Sequence, residues 1–206
     1  MVMLTKRHGW VVPEYDRVCL DIVLAECADL FVMTKHCKQM RTTIQAGANV
    51  GIWPTKMSEI FQKVYTVEPD ATNFAALKEN ISHIPNINFQ QAAFGKEDGT
   101  GSIDDILPGN IGAYQVKEGQ DFKIITIDSL GVTDCDLLQL DVEGFEQFAL
   151  EGGIETIKAS YPVIALELKG LGMRYGCPDQ HTHGWLSGLG YRFVEKIHND
   201  SIFVKE

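Results

Sequence analysis

The sequence predicts an α/β protein: a mainly parallel sheet with helices on both faces and an antiparallel edge. Three observations carry this. Short apolar runs alternate with segments of helical periodicity from residue 42 onward. A turn with Gly47 and Gly51 follows the first run, and the next run ends on an acid, Glu68, 21 positions (68 − 47) beyond Gly47. The chain closes on two apolar runs flanking His198-Asn199-Asp200, the pattern of a hairpin.

The elements follow in order. Residues 1–16 show no periodicity and read as irregular. Over 17–33, Val18, Ile22, Ala25, Ala28 and Leu30 recur at near-helical spacing, so residues 1–40 are expected to be a helical cap on a core spanning 41–206. Residues 42–46 are the first strand. A helix over 50–61 accommodates Pro54 only in its first turn. A strand over 64–67 leads to a helix over 71–82, with Asp70 as its N-cap. The third strand spans 87–94. Residues 95–119 are glycine-rich without period and read as a long loop, a kind that is often functional. A short strand over 123–127 precedes the fourth, 137–140. Helices over 145–151 and 154–159 are separated by Gly152-Gly153, and a strand spans 163–168. A helix over 179–189 leads into the hairpin of 191–197 and 202–204. There is no internal repeat or linker, and 206 residues fit one domain with one core.

Composition narrows the function classes. The chain is 45% hydrophobic and 22% charged, as a globular protein is. Its formal charge of −10 argues against a non-specific nucleic-acid or membrane-surface binder, since both need a positive field. Cys19, Cys27, Cys37, Cys135 and Cys177 are odd in number and form no Cys-x-x-Cys pair, so they read as reduced thiols. No apolar leader is visible, and no run approaches the roughly 20 apolar residues of a membrane span. A cytoplasmic protein without a membrane or nucleic-acid partner is expected.

In open parallel sheets, ligands bind beyond the carboxyl ends of the strands. Four such ends carry distinctive residues: the Gly47–Gly51 turn, Glu68, Asp141-Val142-Glu143-Gly144, and Glu167-Leu168-Lys169. A glycine turn lets backbone approach a ligand, and an acid at the next strand end takes two ribose hydroxyls, which points to an adenosine-containing ligand. Gly-x-Gly-x-x-Gly is absent, because Asn49 stands at its second glycine. That disfavours a pyrophosphate, and with it a nicotinamide-dependent dehydrogenase. Asp141 reads as a helix N-cap, or as an anchor or base against a reacting group. Glu143 reads as a first-turn acid favoured by the helix dipole, or as a second site acid. Glu167 ends a buried strand and must be paired, hydrated or facing a cleft. His181 and His183 near Cys177 match no closed zinc spacing and read as surface histidines. Hard cations do prefer oxygen ligands such as these acids, but no metal is expected. Trp53 either packs or stacks on a ligand. Lys169 and Arg174 either bind an acidic substrate or are solvated.

Six segments together resemble the FkbM family of S-adenosylmethionine-dependent methyltransferases. They are Gln45-Ala46-Gly47-Ala48-Asn49-Val50-Gly51, Val67-Glu68-Pro69-Asp70, Ala92-Ala93-Phe94-Gly95, Ile127-Asp128-Ser129-Leu130, Leu140-Asp141-Val142-Glu143-Gly144, and residues 162–167. They occur in the family's order, from about residue 42 to the final hairpin. The resemblance implies a Rossmann-like class I methyltransferase fold with a seven-stranded, mostly parallel sheet and a C-terminal antiparallel hairpin. It implies S-adenosylmethionine as cofactor, with S-adenosylhomocysteine as product. Gln45, Gly47, Ala48, Asn49 and Gly51 would hold its methionine part. Glu68, with Pro69 and Asp70, would hold the ribose, Ala93 would flank the adenine, and Asn110 would be a further cofactor-side element. Asp141 would touch the cofactor and, with Glu143 and Glu167, form the catalytic set, Asp141 being the first choice for the base. Two positions depart from the family pattern. Gln45 stands where the family usually has an aspartate, and Gln139 where it often has a lysine. Gln45 still accepts a hydrogen bond but brings no charge. The expected activity is O-methylation of a sugar or another small molecule. The alternative is a catalytically silent module of the same fold that serves as a binding or assembly partner. A nucleic-acid methyltransferase is disfavoured by the net charge and by the lack of an Asn-Pro-Pro-aromatic motif after the fourth strand.

Overall fold

The computed structural model describes residues 3–206. Its first element is an antiparallel hairpin, β1 (Leu4–Arg7) and β2 (Trp10–Pro13), where the sequence pattern reads as irregular. Each strand is only four residues long, too short for a period to register, and the turn rests on His8 and Gly9 at positive φ. The helix expected over 17–33 is broken into α1 (Cys19–Glu26), a 3₁₀ turn at Cys27–Asp29 and α2 (Leu30–Thr34). Asp16 starts α1, its carboxylate accepting from the Cys19 and Leu20 N–H groups at 3.0 and 3.2 Å. The break turns Asp29 inward to His198 Nδ1 at 2.7 Å.

The remaining strands are β3 (Thr42–Ala46), β4 (Lys63–Val67), β5 (Ile87–Gln90), β6 (Ala92–Phe94), β7 (Gly99–Asp105), β8 (Tyr114–Glu118), β9 (Phe122–Ile125), β10 (Cys135–Leu140), β11 (Val163–Glu167), β12 (Tyr191–Ile197) and β13 (Asp200–Lys205). The remaining helices are α3 (Ile52–Ser58), α4 (Ala71–Ile81), α5 (Glu146–Glu151), α6 (Ile154–Ser160) and α7 (Asp179–Gly188). Seven strands form the main sheet in the order β12-β13-β11-β10-β3-β4-β5. The five from β11 to β5 are parallel, β13 runs antiparallel to β11, and β12 runs antiparallel to β13. β3 and β10 are buried along their whole length, as central strands covered on both faces must be. Successive side chains go to opposite faces: Leu138 packs with Ile44, Leu140 and Leu166, while Leu137 packs with Val64, Met57 and Ala165. Asp70 caps α4, accepting from the Thr72 and Asn73 N–H groups at 2.9 and 2.7 Å. Pro54 falls in the first turn of α3.

Two expectations fail between β4 and β10. The strand expected over 87–94 splits at Gln91: β5 stays in the main sheet and β6 pairs with β9 instead. Residues 95–119 are not a plain loop, because β7 and β8 complete a second, four-stranded sheet of order β6-β9-β7-β8. Ile103 is the single apolar side chain of β7, so its sequence has no alternation to read. Gly101 packs closely there: an added Cβ would lie 3.0 Å from the Phe122 ring, which would have to shift. Among the described residues, no helix is long and apolar enough to cross a membrane. All five cysteines are free thiols.

Candidate active site

The carboxyl ends of β3, β4, β10 and β11 open onto one cleft of about 350 Å³. It lies where the strand order reverses between β3 and β10, the expected place for a ligand in such a sheet. Of the residues the sequence singled out, Gly47, Asn49, Glu68, Pro69, Ala93, Asn110, Asp141, Glu143 and Glu167 line it together. Gln45, Ala48, Gly51 and Asp70 do not.

Each of those four has another occupation. Gln45 is fully buried within the sheet, where it accepts from the Thr66 hydroxyl and donates to the Ala46 carbonyl at 3.0 Å. Those bonds hold it inside the sheet, so it is absent from the cleft lining where the resemblance implies a cofactor contact. Gly51 is a packing glycine, not a cradle: its φ is +100°, and an added Cβ would lie 2.8 Å from Ile81 and 2.9 Å from Leu77 on α4. Ala48 is buried, its N–H bonded to the Val67 carbonyl at 3.1 Å. Asp70 serves as the cap of α4.

Gly47 is required by its neighbour. At φ +83°, an added Cβ would stand 1.9 Å from the Asp141 carbonyl oxygen, so the ends of β3 and β10 meet only because residue 47 has no side chain. Asn49 follows in the left-handed region at φ 51°, a conformation Asn tolerates. Its N–H donates to Glu68 Oε2 at 2.7 Å, and the Asp70 N–H donates to Glu68 Oε1 at 2.9 Å. Glu68 is only 4% exposed, yet it lines the cleft wall. Burial pushes its carboxyl up to about 8, against those two backbone donors. Each oxygen has a lone pair left for a hydroxyl of a ligand.

The loop between β7 and β8 closes over this corner. The Ile111 carbonyl accepts from Asn49 Nδ2 at 3.1 Å and from Asn73 Nδ2 at 2.8 Å. Asn110 shapes the turn, its side chain accepting from the Gly112 N–H at 3.0 Å. The N-terminal segment ties onto the same loop through the Arg17 N–H and the Gly109 carbonyl (2.9 Å) and through the hydroxyls of Tyr15 and Tyr114 (3.1 Å). α1 thereby contributes Cys19, Ile22, Val23 and Glu26 as the facing wall. Burial raises the Cys19 thiol far above its usual range and leaves it inert.

At the other end, Asp141, Glu143 and Glu167 each offer an oxygen within 4.8 Å of the others. Burial first, then the charge and hydrogen bond of Glu167, hold the Asp141 carboxyl well above its ordinary range. Burial also raises Glu143. Lys169 Nζ stands 3.1 Å from Glu143 Oε1 and 2.6 Å from Glu167 Oε2. Burial opposes its charge, but the bonds and charges of Glu167 and Glu143 outweigh that and raise its pKa. The sequence left two readings open for Lys169; the structure makes it the partner of two site acids. Glu143 sits at φ 55°, a left-handed conformation that costs a glutamate, while Gly144 takes φ 102° freely. Glu146 holds that turn, its Oε1 accepting from the Val142 and Gly144 N–H groups at 3.1 Å each, and burial raises its carboxyl to about 7. Sequence reasoning missed Glu146, which looks like any first-turn helix acid; the α1 wall and Tyr114 lie in the N-terminal cap and the 95–119 segment, which the sequence marks as regions but not residue by residue. Trp53, in the first turn of α3, is 5% exposed: it packs in the core and also lines the cleft, so both of its readings stand.

The family model of the methyltransferase FkbM domain matches residues 45–193, well over half of the chain. The chain belongs to the FkbM methyltransferase family. The crystal structure of methyltransferase FkbM from Methylobacillus flagellatus is similar to this FkbM domain with a TM-score of 0.56 at 14% identity. That match covers 79% of this chain and 43% of the other, so this chain spans less than half of that protein's length. Precorrin-6y C5,15-methyltransferase from Geobacter metallireducens is similar with a TM-score of 0.54 at 9% identity, covering 99% of this chain and 96% of that one. Precorrin 8w decarboxylase from Methanobacterium thermoautotrophicum gives a TM-score of 0.52 at 10% identity, covering 89% and 90%. At these identities the likeness is one of fold, and the fold is that of the class I methyltransferases. No curated protein matches the FkbM chain in sequence.

Proposed function

We propose that this FkbM-family chain transfers a methyl group from S-adenosylmethionine to a hydroxyl of a sugar or another small molecule. The observation that carries the reading is Glu68: a buried carboxylate in the cleft wall, fixed by two backbone N–H groups, with a lone pair free on each oxygen. That is what a ribose diol needs. Pro69, Ala93 and Phe94 beside it offer an apolar slot for the base, and the cleft runs from there past Gly47 and Asp141 to Glu143 and Glu167. A volume of about 350 Å³ is in the range of small-molecule sites.

The cofactor's sulfonium makes its methyl carbon electrophilic, so the protein's work is alignment and proton removal. As the acceptor oxygen's electron pair forms the new C–O bond, the C–S bond breaks and its electrons stay on sulfur. The hydroxyl proton goes to a carboxylate. Glu143 is the group we take for that base, in place of Asp141. Asp141 is bonded to Glu167 and favours its protonated form. Glu143 engages Lys169 through one oxygen and keeps the other for the proton.

Calorimetry with S-adenosylhomocysteine on wild type and E68Q tests the cofactor half. Burial keeps Glu68 largely protonated at neutral pH; an uncharged hydrogen bond contributes about 0.5–1.5 kcal/mol, so E68Q, whose amide offers the diol one acceptor oxygen fewer, should bind about 2- to 13-fold more weakly. Equal affinity in the two proteins would remove Glu68 from the ribose role. Transfer of labelled methyl to a panel of hydroxylated acceptors, sugars included, tests the other half. The silent-module reading draws on Gln45, which brings no charge where the family has an acid. It would be upheld by a protein that binds the homocysteine product and methylates nothing on the panel.

A further inference from the structure

Among the described residues lining the cleft, Lys169 is the only cation, against Glu26, Glu68, Asp141, Glu143 and Glu167. An ammonium carries three donors and no acceptor. One donates to Glu143 Oε1 at 3.1 Å, Glu167 Oε2 lies 2.6 Å from the nitrogen as an ion pair, and the ammonium has no further protein partner among the described residues. Lysine–carboxylate pairs on open surfaces are common and contribute about 0–1 kcal/mol. This one differs in placement. The side chains of Glu143 and Glu167 are each 14% exposed and that of Lys169 29%, at the floor of a cleft. Three carboxylate oxygens converging within 4.8 Å are also the kind of oxygen set that holds a hard divalent cation.

We propose that Lys169 is the resident cation of the acceptor end, occupying the place a divalent ion would take among Asp141, Glu143 and Glu167, with its third N–H held for the acceptor oxygen. The acceptor class follows: a neutral hydroxyl whose oxygen gains negative charge as its proton leaves. Lys169 keeps its own proton throughout, the acceptor's proton passes to a carboxylate, and no divalent ion takes part. The role toward the acceptor rests on the methyltransferase reading, whereas the occupancy of the cation position does not.

The test separates the two. Mn²⁺ is titrated into wild type, K169A, K169Q and K169R, with the electron paramagnetic resonance of the free ion as readout. Binding of S-adenosylhomocysteine to each protein is measured in parallel. Wild type and the conservative variant K169R should show no saturable Mn²⁺ binding. K169A and K169Q should each bind one ion at least roughly tenfold more tightly than wild type, because ligand charge left uncompensated raises affinity for hard cations. The double variant K169A/E143Q should lose the gain. Folded K169A or K169Q that binds Mn²⁺ no better than wild type would overturn the proposal, as would wild type binding it equally well. Failure of wild type to bind S-adenosylhomocysteine would sink the cofactor reading and leave the Mn²⁺ comparison standing.

Discussion

Replacing Gly47 by alanine tests whether the glycine turn belongs to the site or only to the scaffold. At φ +83°, a side chain costs about 1–2 kcal/mol in backbone strain alone. The new Cβ would also stand 1.9 Å from the Asp141 carbonyl oxygen. Relieving that contact to the 3.0 Å that real Cβ atoms respect means moving backbone by about 1.1 Å, at the point where the Asp141 N–H bonds the Ala46 carbonyl. Overpacking of this kind costs about 1–3 kcal/mol. Alanine restricts the unfolded chain and returns about 0.4–1 kcal/mol. The net loss is about 3 kcal/mol, or about 6–12 °C in Tm for a chain of this size. Gly51→Ala is the control. It has the same sign of φ, but its new Cβ meets the side-chain ends of Ile81 and Leu77, which can move, and it lies outside the cleft. Thermal melts and calorimetry with S-adenosylhomocysteine on both variants decide the matter. G47A should lose both stability and ligand, and G51A should lose stability only. A G47A protein that binds the ligand like wild type would refute the placement of the cofactor over this turn.

Two further perturbations probe the charged groups. Burial raises Glu68 to about 8 and Glu146 and Asp200 to about 7 in the folded state, above their unfolded values near 4.5, 4.5 and 3.8. The folded protein therefore holds protons that the unfolded chain has already released, and stability contributed by these groups falls as pH rises from about 4 to about 8. Tm measured across that window should decline, and E68Q should flatten the upper part; a wild-type Tm that rises with pH and an unchanged slope in E68Q would contradict this. Glu143→Gly should raise Tm by about 2–4 °C, since glycine relieves about 1 kcal/mol of strain at φ 55° and thins the acidic cluster. The same variant should lose methyl transfer, and a fall in Tm would show that the Lys169 pair outweighs the strain.

The legible part of this protein lies where local chemistry and global position coincide. β3, β4, β10 and β11 are short runs rich in apolar and β-branched residues separated by helical segments, so their existence, their parallel pairing and the crevice at their carboxyl ends follow from the sequence alone. Glu68, Asp141 and Glu167 are visible for the same reason, since each ends such a run, where a carboxylate has to face a cleft or a partner, and Glu143 follows in the turn after Asp141. Asp70 as a cap and the C-terminal hairpin are equally local features. Gln45, which the resemblance implies as a cofactor contact, is held inside the sheet by the Thr66 hydroxyl and the Ala46 carbonyl, a pairing that no spacing reveals. Gly51 misled because a positive φ looks the same in sequence whether helix or ligand crowds it.

Other features depend on contacts between segments far apart in the chain. β7 carries one apolar residue and owes its strand to β8 and β9. The roof exists because Ile111 reaches Asn49 and Asn73, and Gly109 reaches Arg17. Lys169 reads as either a ligand for an acidic substrate or a solvated lysine until the turn after β10 brings Glu143, 26 residues away, to its ammonium. Sequence periodicity records which face each residue presents, and so determined the sheet and the acids at its edge. Pairing energies between distant segments leave no period behind, so the roof, the second sheet and the charge balance of the cleft were decided by the tertiary structure.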